Sequence, residues 1–385
     1  MASSVKDDKR RLRLGIAGLG VASTYIFPGA ETSPVTEIYA AADLRRSALD
    51  AFAAKYKART YKSVAELCAD PNVDVVWIAT PNQLHCEHTI LAAERNHVKL
   101  LCGQTWSMSP DMQAMAKVAH SGALGRLIAV NNWFYTDWLL KPRVDEELDE
   151  HLGGGVIYRH APHLIDTVRL LGGGRVKSVR AMAGRWMKER PCPGNFSAYL
   201  EFEDGTPATI VYNGYGYFDT SELTWDIGNR MYSDAERVPV RQALHAGKME
   251  SEAAKEGMRF GAAAATGASR GSALETAKPV GTRAHIHWFG LTLASFERGD
   301  LRQSPNGLYI YDDNGRREVP VEGGRGVGTL EMQEMHDAIF EDAPIVHDGR
   351  WAAATLEVAL AIVQSGRERR EVMLSHQCAL PGVLA

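Results

Sequence analysis

The fold of this chain is decided by the stretch Leu12-Arg13-Leu14-Gly15-Ile16-Ala17-Gly18-Leu19-Gly20-Val21-Ala22-Ser23. It begins as a short apolar run typical of a strand and continues into a turn with glycines at 18 and 20. Such glycines let the backbone turn sharply and approach a pyrophosphate, whose charge is met by free N–H groups at the positive end of the following helix. We therefore predict that Gly18, Gly20, Val21 and Ala22 bind a dinucleotide.

A second predicted strand, Glu37–Ala42, leads into an acidic residue. Asp43 lies 23 residues beyond the second glycine, close to the offset of about 20 residues at which a carboxylate binds the ribose of NAD. Arg45 and Arg46, two and three residues after Asp43, would suit a 2′-phosphate, so NAD is the expected cofactor and NADP stays open. The third glycine position holds Ser23, which leaves an ordinary strand-to-helix turn as the alternative.

Length and composition predict a two-domain protein of the cytoplasm. A chain of 385 residues is too long for one ordinary core. Its 43 basic and 47 acidic residues give a net charge of −4, which indicates no nucleic-acid or membrane partner. The five cysteines are scattered, as expected for reduced thiols. Residues 1–11 are polar and are predicted to be a disordered arm rather than a signal peptide.

A third predicted strand, Val73–Ala79, is almost wholly apolar and is followed by Thr80, Pro81, Asn82 and, nearby, His85. Open α/β sheets bind ligands at the carboxyl ends of their parallel strands, so we expect these four residues to face the cofactor. The group His85, Cys86 and His88 also suggests a metal site, but the chain offers no matching ligands at a useful spacing. We therefore predict no metal.

The second half of the chain contains one long helix-like segment, Val156–Leu171. Arg159 and His163 are four residues apart, and His163 and Asp166 are three apart, so the three share one face of a continuous helix. From these residues alone, the favoured interpretation of His163 is a buried histidine satisfied by Asp166. The preceding Gly153–Gly155 is predicted to allow close approach to the dinucleotide-binding domain.

The remaining pattern predicts an α+β second domain, residues 128–385, after a dinucleotide-binding domain of residues 12–127. Alternating runs separated by turn residues indicate an antiparallel sheet with strands at Val176–Arg180, Ala198–Phe202, Ala208–Tyr212 and around Leu308–Val319. Two amphipathic helices follow, at Leu330–Phe340 and Trp351–Arg369. Residues 229–283 form a low-complexity insertion, and His285 and His287 after it lack the partners of a metal site.

The chain resembles the glucose–fructose oxidoreductase, inositol dehydrogenase and MocA family. The resemblance is carried by Leu14–Gly20, Val76–Asn82 with His85, Gly153–Gly155 with His163 and Asp166, and His347-Asp348-Gly349. Within the family it looks most like the branch of phthalate 4,5-cis-dihydrodiol dehydrogenases, on the basis of Asn132–Asp137, Pro142-Arg143 and Tyr212–Tyr215. The resemblance implies an N-terminal Rossmann domain, a C-terminal domain with a mostly antiparallel sheet, NAD(P)-dependent dehydrogenation of a small molecule, and a homodimer or homotetramer.

The chain departs from the family at Val98–Ser107. The family's Glu-Lys-Pro, whose lysine serves catalysis, is absent. This run is either the fifth strand with the motif rewritten as Gly103-Gln104-Thr105, or the sixth strand after a deletion of roughly 20–25 residues. We prefer the second alignment, which shortens the domain near residues 96–104. On either alignment Lys99 lies inside a strand and Gln104 cannot act as acid or base.

The resemblance implies an NAD-linked dehydrogenase that acts on a cyclic cis-diol carrying carboxylates. His163 would take the hydroxyl proton, Asp166 would fix its ring, and Arg143, Arg159 and Tyr135 would bind the substrate. Arg159 stands where the family often has an aspartate, but its charge suits a carboxylate. Two alternatives stay open: a cofactor-binding protein that has lost turnover, and a lyase or dehalogenase that uses bound cofactor without net redox.

Overall fold

The computed structural model describes residues 10–94, 99–103, 106–226, 228, 230–249, 251–262, 289–322 and 328–381. The chain forms two compact units. Unit 1 contains Met1–Lys99, Gly257–Ser269 and Arg325–Ile345, and unit 2 contains the rest. Several predictions fall outside the described residues: the first nine residues of the arm, Gln104, much of the insertion, and His285 and His287.

The secondary structure alternates in the first part of the chain and is richer in strands afterwards. The strands are β1 Leu12–Ala17, β2 Thr36–Ala42, β3 Arg59–Tyr61, β4 Val75–Ile78, β5 Leu127–Tyr135, β6 Val176–Gly184, β7 Asn195–Phe202, β8 Pro207–Asn213, β9 Leu291–Phe296, β10 Gly299–Ser304, β11 Gly307–Asp312, β12 Gly315–Pro320 and β13 Val372–Met373. The helices are α1 Val21–Thr32, α2 Arg46–Tyr56, α3 Val64–Ala69, α4 His85–Ala93, α5 Pro110–His120, α6 Asp145–Leu148, α7 Val156–Arg159, α8 Ala161–Leu171, α9 Asp234–His245, α10 Ser251–Gly257, α11 Thr329–Phe340 and α12 Gly349–Glu368.

Unit 1 is built on a parallel sheet, as predicted. Four of the described strands form it in the order β3-β2-β1-β4, with β1 paired to both β2 and β4. The side chains of Leu12, Leu14 and Ile16 on one face of the central strand are fully buried, and so is Ala17 on the other face. This arrangement confirms the Rossmann-type domain and brings the residues after β1, β2 and β4 to one edge of the sheet.

The strand predicted within Val98–Ser107 is wrong for the residues that the structure describes there. Lys99–Gly103 is irregular, and the Cys102 N–H donates to the carbonyl of His347 (2.8 Å) rather than to a neighbouring strand. Lys99 is likewise outside any strand, and its Nζ lies 2.7 Å from Oδ1 of Asp342. The apolar run does not form a strand here, because its backbone is hydrogen-bonded to a loop and not to another strand.

The change of unit also falls earlier than the predicted boundary after residue 127. Unit 2 begins at Leu100, because the apolar side of α5 belongs to its core. Met112, Met115 and Ala116 are fully buried in the same cluster as Leu164 of α8. These buried side chains make α5 part of the second unit, although the sequence assigned it to the dinucleotide-binding domain of residues 12–127.

Unit 2 contains a large, mostly antiparallel sheet, which confirms the predicted fold class. Nine of the described strands form it in the order β12-β11-β10-β9-β5-β8-β7-β6-β13, and among these pairs β5 and β8 are parallel. The helices α8 and α12 pack against this unit's core through fully buried side chains, including Ile165, Val168, Val358 and Ile362. Among the described helices, none combines the length and apolar character needed to cross a bilayer.

Candidate active site

The first glycine of the turn after β1 is required by the fold of unit 1 itself. Gly18 has a φ of +95°, a left-handed conformation that glycine adopts without strain. Its N–H donates to the carbonyl of Ala42 (2.8 Å). A Cβ at this position would lie 2.8 Å from the carbonyl oxygen of Ala79. The turn therefore lies against the end of β4, next to the segment predicted to face the cofactor.

At the second glycine, unlike the first, a Cβ would not clash with a neighbouring atom. Gly20 has a φ of −75°, which any residue adopts, and the nearest atom to a Cβ there would be the Ala79 oxygen at 4.0 Å. As the N-cap of α1 it has no side chain of its own to cap the N–H groups of the first helical turn. This open helix terminus fits a pyrophosphate.

Ser23, at the third glycine position, is accommodated by bonding to the turn. Its side chain is fully buried, and its Oγ donates to the carbonyl of Gly20 (2.8 Å). The Ser23 hydroxyl, buried between helix and sheet, therefore has a hydrogen-bond partner. The departure from the glycine motif does not prevent the turn from forming.

Asp43 lies directly beside this turn, as its position after β2 predicts. The N–H of Leu19 donates to its Oδ2 (2.7 Å), and the N–H of Arg45 donates to its Oδ1 (2.8 Å). The Arg45 guanidinium pairs with the same carboxylate, with Nε 3.2 Å from Oδ1, and also donates to the Leu19 carbonyl. Arg46 instead pairs with Asp50 on the surface. A carboxylate held here favours a ribose diol over a 2′-phosphate.

Two histidines hold the turn that follows β4. His85 Nε2 lies 2.7 Å from the carbonyl oxygen of Thr80, and His88 Nδ1 lies 2.9 Å from the Thr80 hydroxyl. Pro81 precedes a short 3-10 helix that starts at Asn82. The structure thus brings Thr80 next to Gly18, as predicted, while it gives His85 and His88 a role in fixing the turn.

In unit 2, the predicted single helix Val156–Leu171 is wrong, because the helix is broken. α7 ends at Arg159, and His160 has a φ of −123° before α8 begins. Pro162, at the start of α8, has no N–H to continue the helical hydrogen bonds. Arg159 and His163 therefore do not share the face of one continuous helix. His160 itself is bonded to the hydroxyl of Tyr212 through Nδ1 (2.8 Å).

His163 is a half-buried, neutral imidazole. Its ring stacks on Phe289 with centroids 4.5 Å apart and an interplanar angle of 23°. Burial lowers the pKa of His163 to about 4, although the negative charge of Asp166 opposes the shift. Within the described part of the chain, its buried Nδ1 has no hydrogen-bond partner. At neutral pH the ring is therefore uncharged and able to accept a proton.

Asp166 does not fix the ring of His163, contrary to the prediction from their spacing. Its Oδ1 accepts hydrogen bonds from Trp351 Nε1 and Thr355 Oγ1, and its Oδ2 accepts one from Ser107 and lies 3.3 Å from His347 Nε2. Burial opposes ionisation, but the hydrogen bonds from His347 and Ser107 hold the pKa of Asp166 below its usual value. The carboxylate is fully buried and serves the packing of unit 2.

Three cations of unit 2 converge on one carboxylate oxygen. Oε1 of Glu147 lies 2.9 Å from Lys255 Nζ, 3.2 Å from Arg143 and 3.6 Å from Arg159. Burial alone would raise the pKa of Glu147, but the charges of these three residues lower it to about 2. We call Glu147, Arg143, Arg159 and Lys255 the cation cluster. It carries more positive than negative charge and fits an anionic ligand.

The two arginines predicted to bind substrate are both in this cluster. Arg143 stacks on the Trp138 ring, with its guanidinium carbon 4.0 Å from the centroid, and donates to the Trp138 carbonyl. Burial lowers the pKa of Arg159, and its buried Nε has no hydrogen-bond partner among the described residues. A buried N–H group of this kind is suited to donate a hydrogen bond to an acceptor on a ligand.

Lys255 was missed by the sequence analysis. It lies in the polar insertion, where a single lysine has no pattern that separates it from its exposed neighbours. Burial, together with the charge of Arg143, lowers the pKa of Lys255 to about 8. The burial of this side chain shows that the described part of the insertion contributes to the cation cluster.

Tyr135 and Gly153–Gly155 have neighbours within unit 2. Phe134 packs near His160, so the next residue on β5, Tyr135, points to the opposite face of the sheet, where its ring contacts Phe218. Contacts and conformation within unit 2 explain why glycine is needed at two of these positions. A Cβ on Gly154 would lie 2.6 Å from the Asp149 carbonyl oxygen, and Gly155 has a φ of +84°. Their presence therefore needs no approach of the dinucleotide-binding domain.

Among the described residues, one group has the atoms for a metal site. His336, Asp337 and Glu341 have potential ligand atoms within 4.8 Å of one another. Both ring nitrogens of His336 already have oxygen neighbours, from Asp337 and from the carbonyl of Arg10. We therefore assign no metal to this group.

Two family models match the chain. The model described as an oxidoreductase family with an NAD-binding Rossmann fold matches residues 12–119. The model of the GFO/IDH/MocA C-terminal domain matches residues 112–227. The two models together cover the parallel sheet of unit 1 and the cation cluster except for Lys255.

Known proteins are similar over nearly the whole chain. A solved structure from Bordetella bronchiseptica RB50, whose name places it among the dehydrogenases, is 33% identical, with a TM-score of 0.83 over 94% of this chain and 100% of its own. The 1-carboxy-3-chloro-3,4-dihydroxycyclohexa-1,5-diene dehydrogenase of Comamonas testosteroni is 29% identical, over 92% of this chain and 95% of its own. Levoglucosan dehydrogenase, solved with NADH and levoglucosan, is 15% identical with a TM-score of 0.69 and shares the fold.

Proposed function

Because the chain belongs to the glucose–fructose oxidoreductase, inositol dehydrogenase and MocA family of NAD(P)-dependent oxidoreductases, we propose that it dehydrogenates a carboxylated cyclic cis-diol. The observation that carries this proposal is the cation cluster of unit 2, in which Arg143, Arg159 and Lys255 share a single carboxylate. Such an excess of buried positive charge favours a substrate with carboxylate groups.

Unit 1 supplies the residues that fit NAD. The open N-terminus of α1 and the space beside Gly20 suit the pyrophosphate, and Asp43 suits the hydroxyl groups of a ribose. NAD held by these residues would supply the acceptor for the hydride that leaves the carbon carrying the hydroxyl group. The Arg45 guanidinium, already paired with Asp43, supports the preference for NAD over NADP.

In unit 2, His163 is the proposed acceptor of the hydroxyl proton. A base must be uncharged to accept a proton, and the lowered pKa of His163 keeps the imidazole neutral at physiological pH. The stacking on Phe289 fixes the plane of the ring in place of the predicted Asp166 contact. Removal of the proton and a hydride gives a ketone, which tautomerises to an aromatic catechol and draws the reaction forward.

The name of the Comamonas testosteroni relative supports this substrate class, because it describes a ring that carries both a carboxyl group and a pair of hydroxyl groups. In the present chain, Arg143 and Arg159 are the proposed ligands of the carboxylate. Arg143 is held by Trp138 and Glu147, so its guanidinium is fixed in position before the substrate binds.

The experiment is an absorbance assay for NADH with the cis-dihydrodiols of phthalate and of benzoate. We expect NADH to form with the wild type, and His163→Ala to reduce kcat by roughly 10²–10⁴-fold while leaving the affinity for NADH unchanged. The matched control is His151→Ala, which removes an exposed histidine of the same unit. Unchanged turnover by His163→Ala would contradict the proposed role of the imidazole.

The absence of the family's Glu-Lys-Pro favours a second candidate, a protein that binds NAD without turnover. The same assay separates the two functions when it is combined with nucleotide binding. Quenching of NADH fluorescence without turnover of dihydrodiols or sugars would support the second candidate, whereas turnover of a cis-dihydrodiol would exclude it.

A further inference from the structure

The helix α10 is held in place by charge rather than by apolar packing. None of its seven residues, Ser251–Gly257, is fully buried. Ser251 and Lys255, four residues apart and so on one face, are less exposed than the rest. Ser251 Oγ accepts a hydrogen bond from Arg190 (3.0 Å), and Lys255 Nζ donates to Glu147 (2.9 Å). A short helix without an apolar face is thus fixed by two polar contacts, of which the one made by Lys255 belongs to the cation cluster.

The cation cluster is not neutral without a ligand. Arg143, Arg159 and Lys255 all approach the same oxygen, Oε1 of Glu147, whose other oxygen accepts the backbone N–H of Val144. Within the cluster, three positive charges against one negative charge leave an excess of two. Arg190, whose charge also acts on Arg143, donates instead to backbone carbonyls and to Ser251. Glu146 also acts on Arg159, but it is exposed to solvent, which screens its charge.

A ligand with two negative charges would neutralise these two excess positive charges. A ligand with one negative charge would leave one positive charge unbalanced. Side-chain exposures of 11% for Lys255 and 20% for Arg159 leave part of each cation open to a ligand. The buried Nε of Arg159, which has no partner within the described ranges, supplies a further donor.

We propose that Lys255 is a third substrate-binding cation, and that with Arg143 and Arg159 it makes the site selective for substrates with two carboxylate groups over those with one. This inference rests on the proposed function for the identity of the substrate. The insertion, which contains Lys255, would therefore contribute to substrate selectivity.

The test measures binding of phthalate and of benzoate to the protein saturated with NADH, by calorimetry. We expect the wild type to bind phthalate more tightly than benzoate. Lys255→Met should weaken phthalate binding by roughly 10- to 100-fold and benzoate binding less, because one charge-assisted hydrogen bond is lost. Lys255→Arg should retain most of the preference. Lys248→Met, which removes an exposed lysine just before α10, is the matched control.

The pH dependence of binding gives an independent readout of Lys255. With a pKa of about 8, Lys255 loses its charge above that pH, while Glu147 stays ionised. Guanidinium groups in general do not titrate in this range. Phthalate affinity should therefore fall between pH 7 and pH 9 in the wild type. Lys255→Arg should remove this fall, because a guanidinium does not titrate in that range.

The outcomes separate this inference from the proposed function. If Lys255→Met folds with an unchanged melting temperature and binds phthalate like the wild type, the inference is wrong even if cis-dihydrodiols are oxidised. If it lowers kcat with KM unchanged, Lys255 serves a chemical step and the inference is also wrong. If phthalate binding depends on Lys255 but no dihydrodiol is oxidised, the anion site stands and the proposed function fails.

Discussion

Asp166 accepts a hydrogen bond from the indole nitrogen of Trp351, a residue 185 positions later in the chain. The carboxylate that helical spacing assigns to His163 therefore joins α8 to α12. Thr355 donates to the same oxygen at 3.0 Å, and the other oxygen binds Ser107. Asp166 is thus part of the core of unit 2, whereas His163 next to it on α8 is left with an uncharged ring.

This arrangement predicts that Asp166→Asn damages stability rather than proton transfer. The substitution removes a buried charge that accepts several hydrogen bonds, so we expect the free energy of unfolding to fall by on the order of 3 kcal/mol. Urea denaturation measures this change. In variant protein that still folds at low temperature, the acid limb of the pH profile should move to lower pH, because the negative charge that raises the pKa of His163 is lost.

Asp313→Asn is the control for this substitution, because Asp313 is an exposed acid of the same unit. Its unfolding curve should match that of the wild type within about 0.5 kcal/mol. Equal stability of Asp166→Asn and wild type would show that the contacts of Asp166 with α12 do not hold unit 2 together.

The two glycines of the first turn predict opposite effects of the same substitution. Gly18→Ala places a Cβ 2.8 Å from the Ala79 oxygen in a left-handed conformation, so it should destabilise unit 1 by about 1–3 kcal/mol. Gly20→Ala meets nothing closer than 4.0 Å, so it should fold normally. Its methyl group would instead occupy the space that a pyrophosphate needs.

Melting curves and NADH titrations measure the two effects together. Gly20→Ala should keep the melting temperature and weaken NADH binding by at least roughly tenfold, equivalent to about 1.4 kcal/mol. A Gly20→Ala protein that binds NADH normally would argue against nucleotide binding at the N-terminus of α1. Gly18→Ala and Gly20→Ala serve as controls for each other.

The nucleotide-binding side of unit 1 could be predicted because its signals are local. Strand, turn, helix and acid follow one another within Leu12–Asp43, and a parallel sheet brings the ends of its strands to one edge. The sequence also predicted the mostly antiparallel second sheet from its alternating runs and hairpin turns. In each case the residues that decide the structure are neighbours in the chain.

The partners of side chains in unit 2 could not be predicted in the same way. Spacing shows that His163 and Asp166 are neighbours on a helix, but it cannot show that Trp351 competes for the carboxylate. Pro162 could have signalled the break after Arg159, since it lacks the N–H that a continuous helix needs. Lys255 gave no signal, because its burial depends on Glu147, more than a hundred residues earlier.

The lowered pKa of His163 predicts an unusual pH profile for the proposed dehydrogenase. A histidine with an ordinary pKa near 6.5 would lose activity tenfold per pH unit below that value, because its protonated form cannot act as a base. With a pKa of about 4, His163 stays neutral, so kcat/KM should be flat from about pH 5.5 to 7. Substrate carboxylates are ionised throughout this range. An acid limb centred near pH 6.5 would mean that the imidazole is more solvated than the structure shows.

Phe260 lies in the insertion and belongs to unit 1. Its ring packs among aromatic side chains of α1 and α2, with centroids 5.0 Å from Phe27 and 6.1 Å from Phe52, and its carbonyl lies 3.4 Å from a guanidinium nitrogen of Arg45. Phe260→Ala removes a partly buried ring from this cluster, so we expect a loss of about 2 kcal/mol in stability.

Limited proteolysis adds a local readout to the unfolding measurement for Phe260. Once the ring no longer anchors the chain to α2, cleavage within residues 257–262 should become faster, and saturating NADH should slow it less than in the wild type. Leu44→Ala is the control, because Leu44 lies beside Asp43 but is 94% exposed. Unchanged stability and cleavage in Phe260→Ala would show that the aromatic contacts do not anchor the insertion to the dinucleotide-binding unit.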